Sequence, residues 1–430
     1  MRSTGERTTT DSCQKRTTLS PPAQARRSST FAALRYRNYR LWFFGQATSL
    51  VGTWMQSVAQ GWLVYQLTGS DLALGAISFA GSIPTLFLML PAGVLADRFP
   101  KRKLLLITQT VMMLCAFALA ALAASGVLQV WHIGVLAFGL GVANSFDAPA
   151  RQSLAVEMVE DRRDMMNAIA MNSTMFNLAR IAGPAIGGVV LAQVGAVWCF
   201  ALNGLSFLAV LVALWRMRLP QVALAPQNEP FAAQIVTGLR YIWGSAPIRT
   251  IIALVGVSSL FGLSYATLMP AYAVDVLQVG EAGLGSMSAA VGVGALIGSL
   301  AVASLGSFRR KGLLLAAGSL IFPLALLSFA QTRYLPLSLA CLAVVGFGFV
   351  MQNATSNTLV QSIVPDDLRG RVMGAYTLTF FGTNPFGALL AGTLAQALGP
   401  ALAVVLSAGV TLAFAAGVLM ATPVLRRLET

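Results

Sequence analysis

Two charged residues interrupt stretches that are otherwise apolar. Arg180 lies within residues 164–194 and Asp147 within 130–157. A charge in hydrocarbon costs several kcal/mol unless it is paired or hydrated, so both positions are candidates for chemistry. At about 1.5 Å per helical residue, Arg180 lies ~22–24 Å from one helix end and Asp147 ~24–26 Å from the opposite end. Side chains at those depths are within reach of each other, and two readings of the pair follow. In one, Asp147 takes up and releases a proton while Arg180 tunes it or holds an anionic group of a substrate. In the other, the two form a static brace between neighbouring helices. A third arrangement, with no contact, stays open.

Uncharged polar side chains form a second set. Gln56 and Gln60 are four apart and share one helix face. Asn144, Asn177, Gln352, Asn353 and Asn384 also interrupt apolar runs. Such amides suit a cavity for a ligand of neutral or mixed polarity, with Trp54 and Tyr265 as stacking surface. The sequence lacks G-x-x-x-x-G-K-[ST], so no P-loop ATP hydrolysis is expected. The single His, His132, and four Cys without a CxxC pair offer no metal set, haem pair or Ser-His-Asp arrangement. The expectation is therefore no cofactor, no metal and no enzyme.

These residues sit in a chain of 430 residues that is 56% hydrophobic and only 10% charged, with mean hydropathy +0.72. Soluble proteins average roughly 25% charge. This chain could not cover a soluble globule of its size, and the class is integral membrane protein. Runs of at least ~20 apolar residues span a bilayer. Twelve are read, near 39–66, 72–97, 103–125, 130–157, 164–194, 196–216, 248–276, 281–305, 312–331, 334–362, 368–397 and 400–423. The fold class is thus all-α membrane protein, with twelve transmembrane helices as two six-helix pseudo-repeats.

The expected organisation has five parts. Residues 1–30 are a disordered basic cytoplasmic tail rather than a signal peptide, since no apolar run follows the charges directly. Residues 31–219 form the first six-helix half, 220–240 a cytoplasmic linker, 241–425 the second half, and 426–430 a second tail. Leu34-Arg35-Tyr36 recurs as Leu239-Arg240-Tyr241, and Gly141–Asp161 aligns with Gly346–Asp366 at the same offset of 205. Repeats of this kind place a binding site between the halves.

The net charge of +14 is a topology signal. Of 29 Lys and Arg, all but Arg180 and Arg333 fall on one side of the alternating spans. That asymmetry puts both termini in the cytoplasm of a cell whose inner membrane holds the chain. It also removes the nucleic-acid reading that so basic a soluble protein would invite.

Three motifs add a resemblance. Gly93-Val94-Leu95-Ala96-Asp97-Arg98-Phe99-Pro100-Lys101-Arg102-Lys103 resembles the G-x-x-x-D-R-x-G-R-R loop of the major facilitator superfamily, with Pro100 in place of the second glycine. Gly93 would allow close helix approach. The resemblance implies a conformational latch, and Asp97 is read here as the charge pair of Arg151 when the cytoplasmic side is closed. Ala179-Arg180-Ile181-Ala182-Gly183-Pro184-Ala185-Ile186-Gly187-Gly188 is similar to the G-x-x-x-G-P-x-x-G-G motif of that superfamily's antiporters. Phe146-Asp147-Ala148-Pro149-Ala150-Arg151-Gln152, with Asn167-Ala168 and Phe176–Arg180, resembles the narrower family of enterobactin and macrolide exporters, drug:proton antiporters among them.

The resemblance implies a secondary transporter that exports a small molecule by proton antiport and alternating access. Its partners would be the substrate, the proton and membrane lipid, with no nucleic acid, and the chain would act as a monomer. The alternative is a polytopic membrane protein without export activity: an importer, a uniporter, or a nontransporting enzyme or sensor. The charge asymmetry carries its own test. Alkaline phosphatase fused after Arg333 should be active in a bacterial host, and fused after Lys103 inactive. The reverse pattern would overturn the topology.

Overall fold

The computed structural model describes residues 31–159, 161–217, 231–305 and 308–422. The tails expected at 1–30 and 426–430, and the linker as far as residue 230, lie outside the described residues. Among the described residues all regular structure is helical. In lipid this is forced, because backbone groups that cannot bond to water must bond within the segment or a closed barrel.

The first half comprises α1 (Arg37–Thr68), α2 (Asp71–Arg98), α3 (Lys101–Ala124), α4 (Val130–Glu157), α5 (Arg162–Val194) and α6 (Ala196–Arg216). A short helix, α7 (Phe231–Gly244), follows. The seventh span begins as α8 (Ala246–Val257). It continues through a π turn (Ser258–Gly262), a 3-10 stretch (Leu263–Leu268), the single turn α9 (Met269–Ala271) and a second π turn (Tyr272–Val276). Then come α10 (Gly280–Ser304), α11 (Lys311–Gln331), α12 (Leu335–Ile363), α13 (Asp366–Leu398) and α14 (Pro400–Ala421). Among the described residues ten segments are long and apolar enough to cross a membrane. The long helices α1 and α13, of 32 and 33 residues, carry more polar side chains and fall outside those ten.

Local sequence explains the connections. Gly69 closes α1 in the left-handed region at φ +57°, and the Ser70 side chain accepts from the Ala73 N–H to cap α2. Gly195 links α5 to α6 and Gly399 links α13 to α14, at φ +87° and +84°. A side chain at either position would be strained, so the two halves share one device at equivalent places.

Packing repeats as well. The neighbours α2–α4, α3–α4 and α3–α6 in the first half recur as α10–α12, α11–α12 and α11–α14 in the second. Across the halves, α2 packs on α13 and α5 packs on α10, an exchange that a pseudo-twofold axis requires. These contacts depend on absent side chains. A Cβ on Gly188 would lie 2.7 Å from the Gly285 Cα, and a Cβ on Gly392 would lie 2.9 Å from the Gly75 Cα. Small residues are what let membrane helices approach this closely.

The outer surface is apolar. Leu300, Phe87 and Met420 are among its exposed side chains, and Trp131, Trp215 and Trp243 are exposed near helix ends, where interfacial aromatics belong. We call the end carrying Arg98, Lys101, Arg102 and Arg216 the basic end, and its opposite the far end.

Two features differ from the sequence expectation. Much of the 217–247 break is helical, since α7 occupies 231–244 and packs against the start of α13, with Gly238 against the Arg371 backbone. The apolar residues of 231–244 fall on one face of a helix too short to cross a membrane, so a search for ~20-residue runs passes over it. The seventh span is also broken rather than a regular α-helix. Pro270 lacks the N–H that would bond back one turn, and Gly262 sits where a Cβ would lie 2.4 Å from the Phe322 ring.

The α5–α10 contact makes a stability prediction. Gly188→Val should lower the thermal unfolding midpoint in detergent by several degrees, in line with the ~1–3 kcal/mol typical of overpacking. An unchanged midpoint would show that the close approach is not needed.

Candidate functional site

A cavity of about 700 Å³ lies between the halves. That volume is typical of sites for drug-sized ligands. From the first half α1 contributes Trp54 and Gln60, α4 contributes Asn144, and α5 contributes Arg180 and Pro184. From the second half come Tyr265 on the 3-10 stretch, Ser288 on α10 and Asn384 on α13. The unwound part of the seventh span thus forms one wall, where irregular backbone is tolerated because it borders a cavity instead of lipid.

Arg180 is the cation of this cavity. Its guanidinium lies over the Trp54 ring at 5.8 Å from the centroid, and Tyr265 of the opposite half lines the same cavity. Trp54 is held in turn by an edge contact with Phe176, at 5.9 Å between ring centroids. Arg180 forms no ion pair with any described residue. The rest of the motif around it fixes α5 on two sides. A Cβ on Gly183 would lie 2.4 Å from the Trp54 Cβ, and one on Gly187 would lie 3.0 Å from the Met55 Cα, so both face α1. Gly188 faces α10.

Asp147 is elsewhere. It is 1% exposed, and its carboxylate accepts from the Thr108 hydroxyl at 3.0 Å and the Gln109 amide at 2.8 Å. Arg151, one turn along α4, lies 3.5 Å from its other oxygen. The interior contact expected between Asp147 and Arg180 is therefore not formed. Measured from the basic ends of α4 and α5, the two residues lie about 15 Å and about 27 Å deep at 1.5 Å per residue. A difference of about 12 Å exceeds what two side chains bridge. The partners of Asp147 were missed by the sequence reading, although the four-residue spacing to Arg151 is a same-face signal. Thr108 and Gln109 are adjacent polar residues in an apolar helix, which is also a signal.

The loop at the basic end departs from expectation too. A Cβ on Gly93 would meet nothing within 4 Å, so no close helix approach rests on it here. The side chains of Asp97 and Arg98 lie outside the described residues. Lys101 pairs with Glu157, and Arg102 donates to the Trp215 carbonyl at 2.8 Å. Arg151 is engaged with Asp147.

Of the cavity candidates, Gln60, Asn144 and Asn384 line the cavity. The others bond to partners away from the cavity, and the Gln352 amide oxygen is left buried without one. Gln56 accepts from the Asn203 amide at 2.7 Å, and Gln352 donates to Ser258 at 2.8 Å. Asn177 donates to the Ser173 carbonyl of its own helix at 2.9 Å, and Asn353 accepts from the Tyr376 hydroxyl at 3.0 Å.

The far end holds contacts that no motif announces. The Tyr65 hydroxyl of α1 donates to Asp275 of the seventh span. Gln396 of α13 bonds the Ser70 hydroxyl at 2.7 Å and accepts the Leu72 N–H at 3.3 Å. Each of these joins the two halves. The ion pairs Arg35–Asp164, Lys101–Glu157, Arg151–Asp147 and Arg369–Asp366 of the basic-end region each stay within one half.

Comparison with known proteins agrees with this architecture. A family model described as "Transmembrane secretion effector", of the major facilitator type, matches residues 28–430. The chain is 31% identical over 369 residues to the multidrug efflux pump Tap of Mycolicibacterium fortuitum, covering 83% of this chain and 88% of the relative. It is 27% identical over 367 residues to the enterobactin exporter EntS of Salmonella typhi, covering 84% and 86%. Among solved structures, a bacterial homologue of the human lysosomal transporter Spinster superposes with a TM-score of 0.74 at 12% identity, over 92% of this chain and 98% of that one.

The far-end bonds carry a conformational prediction. A hydrogen bond to a charged group contributes about 1.5–3 kcal/mol, so Tyr65→Phe should shift the population toward a state open at the far end by roughly tenfold or more. In a cysteine-free background with Ser78→Cys in the cavity wall, Tyr65→Phe should speed labelling by an impermeant maleimide added on the far side. Equal labelling rates with and without Tyr65→Phe would remove Tyr65 and Asp275 from the gate.

Proposed function

Because the chain belongs to the transmembrane secretion effector family, we propose that it exports a small organic molecule from the cytoplasm by alternating access, driven by proton antiport. The observation that carries this reading is the cavity between the halves, closed at its far end by bonds that cross from one half to the other. A site walled by both halves is emptied toward either side when the halves rock about it. The efflux activity in the names of Tap and the enterobactin exporter supports the outward direction.

The basic end faces the cytoplasm in this account, with both termini there, and the membrane is the inner membrane. One chain supplies both walls of the cavity, which favours a monomer. Substrate enters from the basic end, where the named ion pairs each stay within one half. It leaves after the Tyr65–Asp275 and Gln396 contacts part.

Asp147 is the proton carrier of the proposal. As a carboxylate it gathers Thr108, Gln109 and Arg151, and so ties α3 to α4 at the level where the basic end must close. A proton on Asp147 removes the charge that orients Arg151 and weakens the two accepted bonds. Arg151 is then free to turn toward Asp97 at the end of α2, the helix that packs on α13 of the other half, so the change is passed to the interface between the halves. Proton binding and closure of the basic end are linked in this way, as coupling demands.

The test is proton-driven transport in inverted vesicles with a panel of anionic, neutral and cationic dyes. Asp147→Asn should abolish uptake driven by an imposed pH gradient while expression and membrane insertion stay at wild-type levels. Full gradient-dependent uptake by that variant would refute the coupling role.

A further inference from the structure

We propose that the cavity is built for an aromatic organic anion, its acid group on Arg180 and its ring between Trp54 and Tyr265. The inference rests on the reading of the cavity as the transport site and adds the substrate class.

The first argument is charge balance. Among the described residues no Asp or Glu lines the cavity, and Arg180 is the one cation that does. Asp147 is bound by Thr108, Gln109 and Arg151, and Asp275 by Tyr65, while Asp71, buried at the start of α2, is not among the residues that line the cavity. A guanidinium inside an apolar bundle is stable when paired or hydrated. Here the protein supplies an aromatic face but no counter-ion. An incoming carboxylate or sulfonate completes the pair in the planar, two-pronged geometry that a guanidinium offers.

The second argument is shape and surface. Trp54 is fixed beneath Arg180 by its edge contact with Phe176, and Tyr265 lines the same cavity from the other half. A flat ring carrying an acid group meets both. Gln60, Asn144 and Asn384 supply neutral donors and acceptors around it. A lipophilic cation meets the reverse situation: it is repelled by Arg180 and finds no acid to replace its hydration. Substrate also spans the interface, with its charge on the first half and its ring against the second. Its departure therefore removes a link between the halves.

Three probes with the same ring separate charge from shape: 1-naphthoate, its methyl ester and 1-naphthyltrimethylammonium. Binding to the purified full chain is read by equilibrium dialysis, with acetate as a ringless competitor. Naphthoate should bind about tenfold or more tighter than the ester, the cation weakest, and acetate should compete poorly. Arg180→Gln should bring naphthoate down to the level of the ester, with the helical circular dichroism spectrum as the check that the bundle is intact. Arg180→Lys should keep part of the preference. Asn144→Asp, which adds an acid to the wall, should weaken naphthoate and strengthen the cation.

The proposal is overturned if naphthoate fails to bind the wild type, if the cation binds as tightly, or if neither Arg180→Gln nor Asn144→Asp changes the order. Acetate competing as well as naphthoate would reduce the site to a simple anion site and overturn the aromatic part. The same probes in inverted vesicles separate this idea from the export reading. Binding in the stated order without transport would refute export and leave the anion site standing. Transport with the cation preferred would refute the anion site alone.

Discussion

A guanidinium with no carboxylate partner, set at mid-depth in an apolar bundle, is the constraint on which this structure turns. Arg180 cannot face lipid, and it cannot be packed against hydrocarbon on all sides. The bundle accommodates it by leaving a cavity at the interface of the halves and by laying an indole ring beneath it. The glycines near it in α5 serve the same end. Gly183 and Gly187 press the helix against α1, while Gly188 presses it against α10 at the next face. With those faces committed, the remaining face of α5 is the one that presents Arg180 and Pro184 to the cavity. The break in the seventh span answers from the other side, bringing Tyr265 to the same space.

A cavity between two halves is useful only if its two ends differ. At the far end, polar bonds cross the interface from α1 to the seventh span and from the start of α2 to α13. At the basic end, each of the ion pairs described stays inside its own half. Within-half pairs hold each half together without tying it to its partner, whereas the far-end bonds cross from one half to the other. The links at the far end are few and individually modest, about 1–3 kcal/mol for such bonds, which suits contacts that must break in each cycle.

The sequence was most informative where one physical rule acts alone. Apolar run length located the spans, and α4 and α6 begin and end where their runs do, at 130–157 and 196–216. The rule failed for α7, which is too short to span, and it could not foresee that Pro270 and Gly262 sit in a stretch that unwinds. The site was legible in part for a related reason. A charge in an apolar run is conspicuous, so Arg180 and Asp147 stood out, but depth along separate helices does not fix which side chains meet. Asp147 found donors on α3, not Arg180. Amides were harder still: Gln56 and Gln60 share a face of α1, yet a fraction of a turn puts Gln56 against Asn203 and Gln60 in the cavity. The gate between Tyr65 and Asp275 depends on how two halves 200 residues apart dock, which no local pattern encodes.

The central claim is that the two ends open alternately around the Arg180 cavity. It is tested most directly by paired distance distributions from double electron–electron resonance in lipid nanodiscs. One pair of spin labels goes to the exposed far-end positions Val127 and Tyr334, the other to the exposed basic-end positions Lys103 and Leu313. As the pH is lowered from about 8.5 to about 5.5, raising the proton concentration about a thousandfold, the account predicts opposite movements. One distance should lengthen as the other shortens. Two distances that stay fixed, or that lengthen together, would contradict it.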